Sequence, residues 1–252
     1  MISFFDSHLH IIDPHFPIIE NQGFVPEPFT CEDYADRTSD FQVIGGAVVS
    51  GSFQGFDQTY LLDALQKLGT TYAGVTQIPH TTSDEEIIRL NQHGVKAIRF
   101  NVKRGGSEDI SQLTYFAERV YELVGWHSEL YIDSKEITPD IAKAISSLPA
   151  VSIDHLGLSD QGFETLLSLV DKGVRVKATG FGRVDFNVRQ AIRSISSVNP
   201  RALMFGTDLP STRANRPFEN TDLDILLDAL GDSNLSEKVL YRNAVEWYRI
   251  HT

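Results

Sequence analysis

Eight short runs of apolar and β-branched residues recur along this sequence, and most are followed by a segment with apolar residues at three- and four-residue spacing. This alternation predicts strand–helix units. Eight units in 252 residues average about 31 residues each, which suits a compact parallel barrel of about 250 residues. We therefore predict an α/β fold, a single (β/α)8 TIM-like barrel domain over residues 1–252. The predicted strands are 3–8, 43–49, 72–78, 95–101, 128–133, 151–155, 174–179 and 202–207.

An open doubly wound sheet is the main alternative for such a pattern. That fold carries a glycine-rich phosphate turn after its first strand. The glycines of this sequence form neither a GxGxxG motif nor a P-loop. The glycine pattern therefore favours the barrel.

One connection is much longer than the others. Residues 11–42 are rich in proline and show little periodicity. We predict a long first loop here, with a short helix near residues 32–36. Loops of this kind often form one wall of an active site.

Charge and cysteine content limit the partners of the protein. With 34 acidic and 22 basic residues, the formal net charge is -12 at pH 7, which argues against general binding to nucleic acid or to an anionic membrane. A small anionic metabolite would then need a local basic pocket. Cys31 is the single cysteine, so no internal disulfide can form. Together with an N-terminus that lacks an apolar leader, this predicts a reduced, cytoplasmic setting.

Histidine and aspartate residues stand where predicted strands end, the edge at which parallel barrels carry their chemistry. The first strand ends in His8 and His10, which alternation places on one side with Asp6 beneath them. His155 ends the sixth strand, and Asp208 follows the eighth. Each residue alone would also suit a capped strand end or an imidazole bonded to the backbone. Together, three imidazoles and one carboxylate suit a zinc-like ion with an open position for water.

A second group of polar residues predicts an anionic substrate. Arg99 and Asn101 alternate onto one face of the fourth strand, and Arg183 and Arg213 follow the seventh and eighth strands. A guanidinium group can hold a carboxylate through two parallel hydrogen bonds. Tyr131, in the fifth strand, either orients the substrate or fills the interior. The arginines would give this acidic protein a basic pocket at the barrel mouth.

Four motifs stand in order along nearly the whole chain: Asp6-Ser7-His8-Leu9-His10 with Asp13-Pro14, then residues 94–101, 153–157 and 205–210. In this order they resemble the amidohydrolase superfamily, and in particular the amidohydrolase family 2 branch that includes 2-pyrone-4,6-dicarboxylate lactonase and sugar-acid lactonases. Residues 242–248 resemble the terminal helix of that branch. The first motif occurs in several metal-dependent hydrolases, whereas the four together are much more specific.

The resemblance implies a distorted eight-stranded barrel that hydrolyses a lactone bearing carboxylate or hydroxyl groups. Carried over by position, His8 and His10 would polarise the lactone carbonyl, directly or through a metal, and His155 would assist. Asp208 would be the general base that takes a proton from water. The arginines of the fourth and seventh strand ends would anchor a substrate carboxylate.

The resemblance leaves the cofactor and the exact reaction open. Some members of the branch act without a divalent ion, whereas related decarboxylases and hydrolases hold one zinc-like ion, Zn²⁺ or Mn²⁺, with residues that correspond to His8, His10, His155 and Asp208. The fourth strand lacks the lysine that some relatives carbamylate to bridge two metals. A metal-dependent decarboxylase or amide hydrolase is the second possibility, and a barrel that binds an anionic metabolite without turnover is the third. The exterior helices could also serve a homo-oligomer.

Overall fold

Eight parallel strands form the centre of the protein, and each pairs with the next one along the chain. The computed structural model describes residues 2–250. The chain just after the last strand joins the end of the first strand, since Asp208 N donates to His8 O (2.7 Å) and His10 N donates to Leu209 O (2.8 Å). The predicted parallel barrel is thereby confirmed. The strands are β1 (Ser3–Leu9), β2 (Gln42–Val49), β3 (Tyr72–Thr76), β4 (Val95–Phe100), β5 (His127–Leu130), β6 (Val151–Ile153), β7 (Arg175–Ala178) and β8 (Leu203–Phe205).

One helix follows each strand on the outside of the ring. These are α1 (Cys31–Arg37), α2 (Thr59–Leu68), α3 (Asp84–Gln92), α4 (Leu113–Val124), α5 (Pro139–Ser147), α6 (Phe163–Asp171), α7 (Val188–Val198) and α8 (Asn220–Leu230). After them come α9 (Ser233–Glu237), a π-helical turn (Lys238–Arg242) and α10 (Asn243–Tyr248). The apolar faces of the outer helices pack on outward side chains of the strands in one continuous core. Within residues 2–250, no helix combines the length and hydropathy that a membrane crossing needs.

Local sequence explains several helix ends. Ser83 caps α3 by accepting from the third residue of the helix. Thr138 caps α5, whose first position is Pro139, a residue that lacks the N–H left unpaired there. Gly125 ends α4 with a left-handed backbone (φ 73°) that most residues avoid.

Several strands end earlier than the sequence predicted. β5 ends at residue 130 rather than 133, β6 at 153 rather than 155, and β8 at 205 rather than 207. Two of these strands are followed closely by 3-10 turns, at Ser134–Glu136 and His155–Gly157. Apolar patterning does not report where hydrogen-bond pairing stops, so these boundaries were wrong by two or three residues. His155 therefore stands on a short turn above β6 and not within the strand.

The inside of the barrel is apolar towards the amino ends of the strands. Small side chains, among them Ala47, Ala73 and Ala97, leave room there for Phe5. The last helix, α10, closes this end, and the ring of its Tyr248 stacks 5.6 Å from the ring of Phe5. The polar interior residues lie above this floor and face the carboxyl ends of the strands.

The first loop carries α1 and reaches the mouth of the barrel. One antiparallel bridge joins Ile12 to Phe29, and another joins Asn21 to Phe24. Asn21 Nδ2 also donates to the backbone oxygen of Arg104 (3.2 Å), in the loop after β4. This contact ties the first loop to the loop after β4 at the mouth of the barrel.

Candidate active site

Three imidazoles surround one carboxylate oxygen at the mouth of the barrel. The Nε2 atoms of His8, His10 and His155 each lie 3.9 Å from Asp208 Oδ1. His155 (φ 50°) and Asp208 (φ 60°) both have a left-handed backbone, a strained conformation that recurs at active sites. The structure thus brings together the four residues that the sequence singled out.

Burial favours the neutral form of these imidazoles. It lowers the pKa of His8 and lowers the pKa values of His10 and His155 well below the usual value. His10 Nδ1 lies 2.6 Å from the carbonyl oxygen of Val49, which can only accept. This nitrogen therefore carries the proton, and Nε2 has a lone pair and no proton. His155 Nδ1 lies 2.8 Å from Thr179 Oγ1, which can donate or accept. Neutral imidazoles can bind water, substrate or metal at the nitrogens that face Asp208.

Arg183 holds the Asp208 carboxylate from the other side. Its Nε donates to Oδ2 (2.6 Å) and its Nη2 to Oδ1 (3.1 Å). Burial alone would lower the pKa of this guanidinium, but the Asp208 carboxylate outweighs burial and the pKa is raised. Gly180 permits the close packing, because a Cβ there would lie 2.8 Å from His155 Nδ1 and 2.9 Å from Arg183 Cδ. Arg183 therefore fixes the orientation of Asp208 and supplies its countercharge, which the sequence did not suggest.

Arg99 lies inside the barrel and is only 3% exposed. Its Nη1 donates to Ser50 O (2.7 Å) and its Nη2 to Asp154 Oδ2 (2.8 Å). The guanidinium carbon lies 5.2 Å from the centre of the Tyr131 ring, which meets the His155 ring edge to face with centroids 5.1 Å apart. The two Nη atoms are thus held by the protein, and Arg99 Nε remains without a partner among residues 2–250.

Buried charges beneath the imidazoles were not assigned to the site from the sequence. Lys177 on β7 is ion paired with Glu129 on β5, and Lys177 Nζ lies 3.3 Å from His8 Nδ1. Asp154 Oδ1 lies 3.4 Å from the same nitrogen. Burial would raise the pKa of Asp154, but the neighbouring cations Arg99 and Lys177 hold it well below its usual range. Two features of the sequence could have indicated these buried charges. Asp154 lies inside the sixth-strand motif, and Lys177 lies in a strand expected to be buried on both faces.

A small cavity opens above these residues. Asn101 and Tyr131 line part of it. Sequence reasoning did not single out Arg104, which stands in the loop after β4 and completes a basic wall. The guanidinium groups of that wall belong to Arg99, Arg104, Arg183 and Arg213. Four such groups around a small cavity suit an anion.

Two of the predicted residues also hold the wall of this cavity together. Arg213 donates to the side-chain oxygen (3.1 Å) and to the backbone oxygen of Asn21, and its guanidinium carbon lies 4.4 Å from the centre of the Phe24 ring. Asn101 Oδ1 accepts from the backbone N of Arg104 (3.1 Å). Arg213 therefore joins the first loop to the loop after β8, and Asn101 shapes the loop after β4.

The prediction that Asp6 lies beneath the histidine pair is wrong. Its carboxylate accepts from Thr207 N (2.8 Å), Thr207 Oγ1 (2.6 Å) and the Tyr34 hydroxyl (3.0 Å). The pairing of β1 with β2 shifts register on both sides of the Phe5–Asp6 step, which interrupts simple alternation. Asp6 therefore braces the seam between β1 and β8.

The donor set fits one divalent ion. His8, His155 and Asp208 offer ligand atoms within 4.8 Å of one another, and His10 Nε2 lies 3.9 Å from the same Asp208 oxygen. Neutral imidazoles and a carboxylate are ligands that Zn²⁺ takes at catalytic sites. His8 Nε2 is buried and has no hydrogen-bond partner in the described part of the chain. These residues therefore form a candidate metal centre.

Parallel barrels that gather imidazoles and a carboxylate at the carboxyl ends of their strands are typical of hydrolases that activate water. Comparison with known proteins defines the class more closely. Residues 5–250 match the amidohydrolase family (Amidohydro_2), and the chain belongs to it. The resemblance found in the sequence and the prediction of a hydrolase are thereby confirmed.

Curated relatives and a solved structure match almost the whole chain. Over 274 residues the chain is 24% identical to the 2-pyrone-4,6-dicarboxylate hydrolase of Comamonas testosteroni, and the alignment covers 96% of this chain and 89% of that protein. It is 25% identical over 274 residues to the 4-sulfomuconolactone hydrolase of Rhizobium radiobacter, covering 97% and 89%. A crystal structure from Agrobacterium tumefaciens superposes with a TM-score of 0.85 at 18% identity, covering 100% of this chain and 97% of that one. The last similarity shows the shared fold.

Proposed function

We propose that this protein hydrolyses a small acidic lactone, either a carboxylated or sugar-derived one or one that carries a sulfonate. The observation that carries the proposal is Asp208 Oδ1, which lies 3.9 Å from three imidazole nitrogens beside an arginine-lined cavity. A carboxylate in this position can take a proton from water while the imidazole nitrogens that carry a proton donate to a substrate oxygen. The names of the two curated relatives support an acidic lactone as the substrate class.

The reaction begins when Asp208 takes a proton from a water molecule. The hydroxide attacks the carbonyl carbon, and the carbonyl electron pair moves onto the oxygen, where imidazole N–H groups stabilise the charge. The ring C–O bond then breaks, and protonated Asp208 returns the proton to the leaving oxygen. The product is an open-chain acid, whose ionisation at neutral pH releases one proton for each ring opened.

A divalent metal would supply Lewis-acid chemistry at the same residues. His8, His10, His155 and Asp208 would hold such an ion, which would polarise the substrate carbonyl. Arg183 keeps Asp208 aimed at the centre of the three imidazoles through its two hydrogen bonds.

The basic wall of the cavity supports a small anion as the substrate. The Nε atoms of Arg99 and Arg104 are buried and have no hydrogen-bond partner among residues 2–250. Both side chains line the cavity, and guanidinium groups suit carboxylate or sulfonate oxygens. The charge of -12 fits a free metabolite better than a nucleic acid or a membrane surface, and the single cysteine fits a reduced, cytoplasmic compartment.

Proton release from a panel of carboxylated, sulfonated and sugar-derived lactones tests the proposal. A pH-indicator dye reports turnover by protein prepared with and without a chelator. We expect at least one acidic lactone to be opened, and Asp208→Asn to lose that activity. Absence of proton release with the whole panel, accompanied by carbon dioxide or ammonia from acid or amide substrates, would contradict a lactonase and favour a decarboxylase or an amide hydrolase.

A further inference from the structure

Lys177 lies at the centre of a buried charge cluster beneath the imidazoles. Its side chain is fully buried, and its ammonium group is ion paired with Glu129. Glu129 Oε1 in turn lies 2.5 Å from the Tyr248 hydroxyl and 3.0 Å from His127 Nε2. The position of the lysine is therefore set by groups that do not line the cavity.

The same ammonium group lies 3.3 Å from His8 Nδ1. An ammonium group has three N–H donors and no acceptor, so a nitrogen that it contacts must supply a lone pair. A proton on His8 Nδ1 would set two donors against each other. Asp154 Oδ1 is 3.4 Å from this nitrogen, but it has no hydrogen-bond partner in the described part of the chain. The contact with Lys177 therefore places the lone pair on Nδ1 and the single proton of the neutral ring on Nε2.

His10 has the opposite arrangement. Its Nδ1 lies 2.6 Å from the Val49 carbonyl oxygen, so the proton is on Nδ1 and Nε2 is bare. The rings of His8 and His10 lie 5.0 Å apart, and both Nε2 atoms face the same oxygen of Asp208. The two imidazoles thus offer a donor and an acceptor side by side.

We propose that Lys177 is a positioning residue that holds His8 in the form protonated on Nε2, so that this nitrogen donates to the carbonyl oxygen of the substrate. Only the catalytic consequence rests on the lactone hydrolysis proposed above. The same contact opposes metal binding by His8, because a ligating Nε2 must supply its lone pair. Metal binding requires the His8 proton to move to Nδ1, where Asp154 rather than Lys177 is its partner.

Lys177→Met tests this role, because it keeps much of the side-chain volume and removes the donors. The double variant Lys177→Met/Glu129→Gln also removes the buried carboxylate that the single variant leaves without its lysine. Lys172→Met, at an exposed position after α6, is the matched control. Long-range ¹H–¹⁵N correlation spectra of protein labelled with ¹⁵N-histidine report which ring nitrogen carries the proton. The His8 signals are assigned from their loss in His8→Gln.

We expect His8 to be protonated on Nε2 in the unmodified protein and in the control, and on Nδ1 in both Lys177 variants. Zn²⁺ affinity, measured by competition with a chromogenic chelator, should rise about tenfold or more in those variants, the scale on which partners of metal-ligating residues act. In chelator-treated protein, kcat for a lactone should fall about 100-fold, as on loss of one oxyanion donor, with a much smaller change in KM.

A proton on Nδ1 of His8 in the unmodified protein overturns the proposal, and this spectrum requires no variant to fold. So does a Zn²⁺ affinity in both Lys177 variants that is equal to or below that of the Lys172→Met control. If the unmodified protein opens no lactone, the proposed function fails, while the spectra and the Zn²⁺ titration still decide the role of Lys177.

Discussion

Replacing Asp208 by asparagine tests the general base with almost no change of shape. The amide cannot take a proton from water at neutral pH, although its oxygen still accepts from Arg183. Positioned acid–base transfer contributes about 10²–10⁴-fold to a rate, so kcat for the most active lactone should fall by at least about 100-fold. KM should change little, because the arginines of the cavity wall are retained.

The same substitution weakens a buried ion pair. Arg183 donates to both carboxylate oxygens of Asp208, at 2.6 and 3.1 Å, and an amide can accept on only one side. A hydrogen bond between charged groups is worth about 1.5–3 kcal/mol, so the free energy of unfolding should fall by about that amount. Urea denaturation followed by circular dichroism measures this loss and shows whether the variant is folded in the activity assay.

Asp222→Asn is the matched control for this experiment. Asp222 is 2% exposed at the start of α8, and Arg216 donates to both of its carboxylate oxygens at 2.9 and 2.6 Å. It does not line the cavity, so this variant should lose similar stability and keep its kcat. The reasoning is refuted if Asp208→Asn keeps more than about a tenth of the kcat. It is equally refuted if Asp222→Asn loses turnover to the same extent.

Three further predictions follow from the geometry. Gly180→Ala and Gly231→Ala both place a side chain at φ 61°, which costs about 1–2 kcal/mol of unfolding free energy. Only Gly180→Ala should lose turnover, because nothing lies within 4 Å of a Cβ at Gly231. Equal turnover in the two variants would contradict this prediction. Arg99→Lys keeps the charge but cannot make both guanidinium contacts, so KM for an acidic lactone should rise roughly tenfold, and an unchanged kcat/KM would remove Arg99 from substrate binding. Burial lowers the pKa of four histidines, so below pH 6.5 the unfolded chain takes up protons that the folded chain does not. The free energy of unfolding should then fall as the pH falls from about 7 to 5. Each histidine contributes a decrease of up to about 1.4 kcal/mol per pH unit. Equal midpoints of urea unfolding at about pH 7 and 5.5 would argue against this prediction. These histidines are His8, His10, His127 and His155.

Much of the fold could be predicted because its signals are local. Apolar runs and helical spacing lie within a few residues of one another, and eight repeats of the pair leave few architectures open. The meeting of His8, His10, His155 and Asp208 followed from one further fact, that the carboxyl ends of parallel strands share one end of a barrel. The strand ends were less predictable, because a polar residue can finish a strand or begin the next turn.

The partners of the buried charges were decided only by the tertiary structure. Lys177 and His8 are 169 positions apart and meet inside the closed barrel, and Arg183 reaches Asp208 only because Gly180 leaves room for it. Asp6 turns to the seam rather than to the site, because the register of β1 shifts beside it. A pattern of apolar residues shows which side of a strand is buried. It does not show which side chain of a distant strand lies at the same depth, since that depends on the register and closure of the whole barrel.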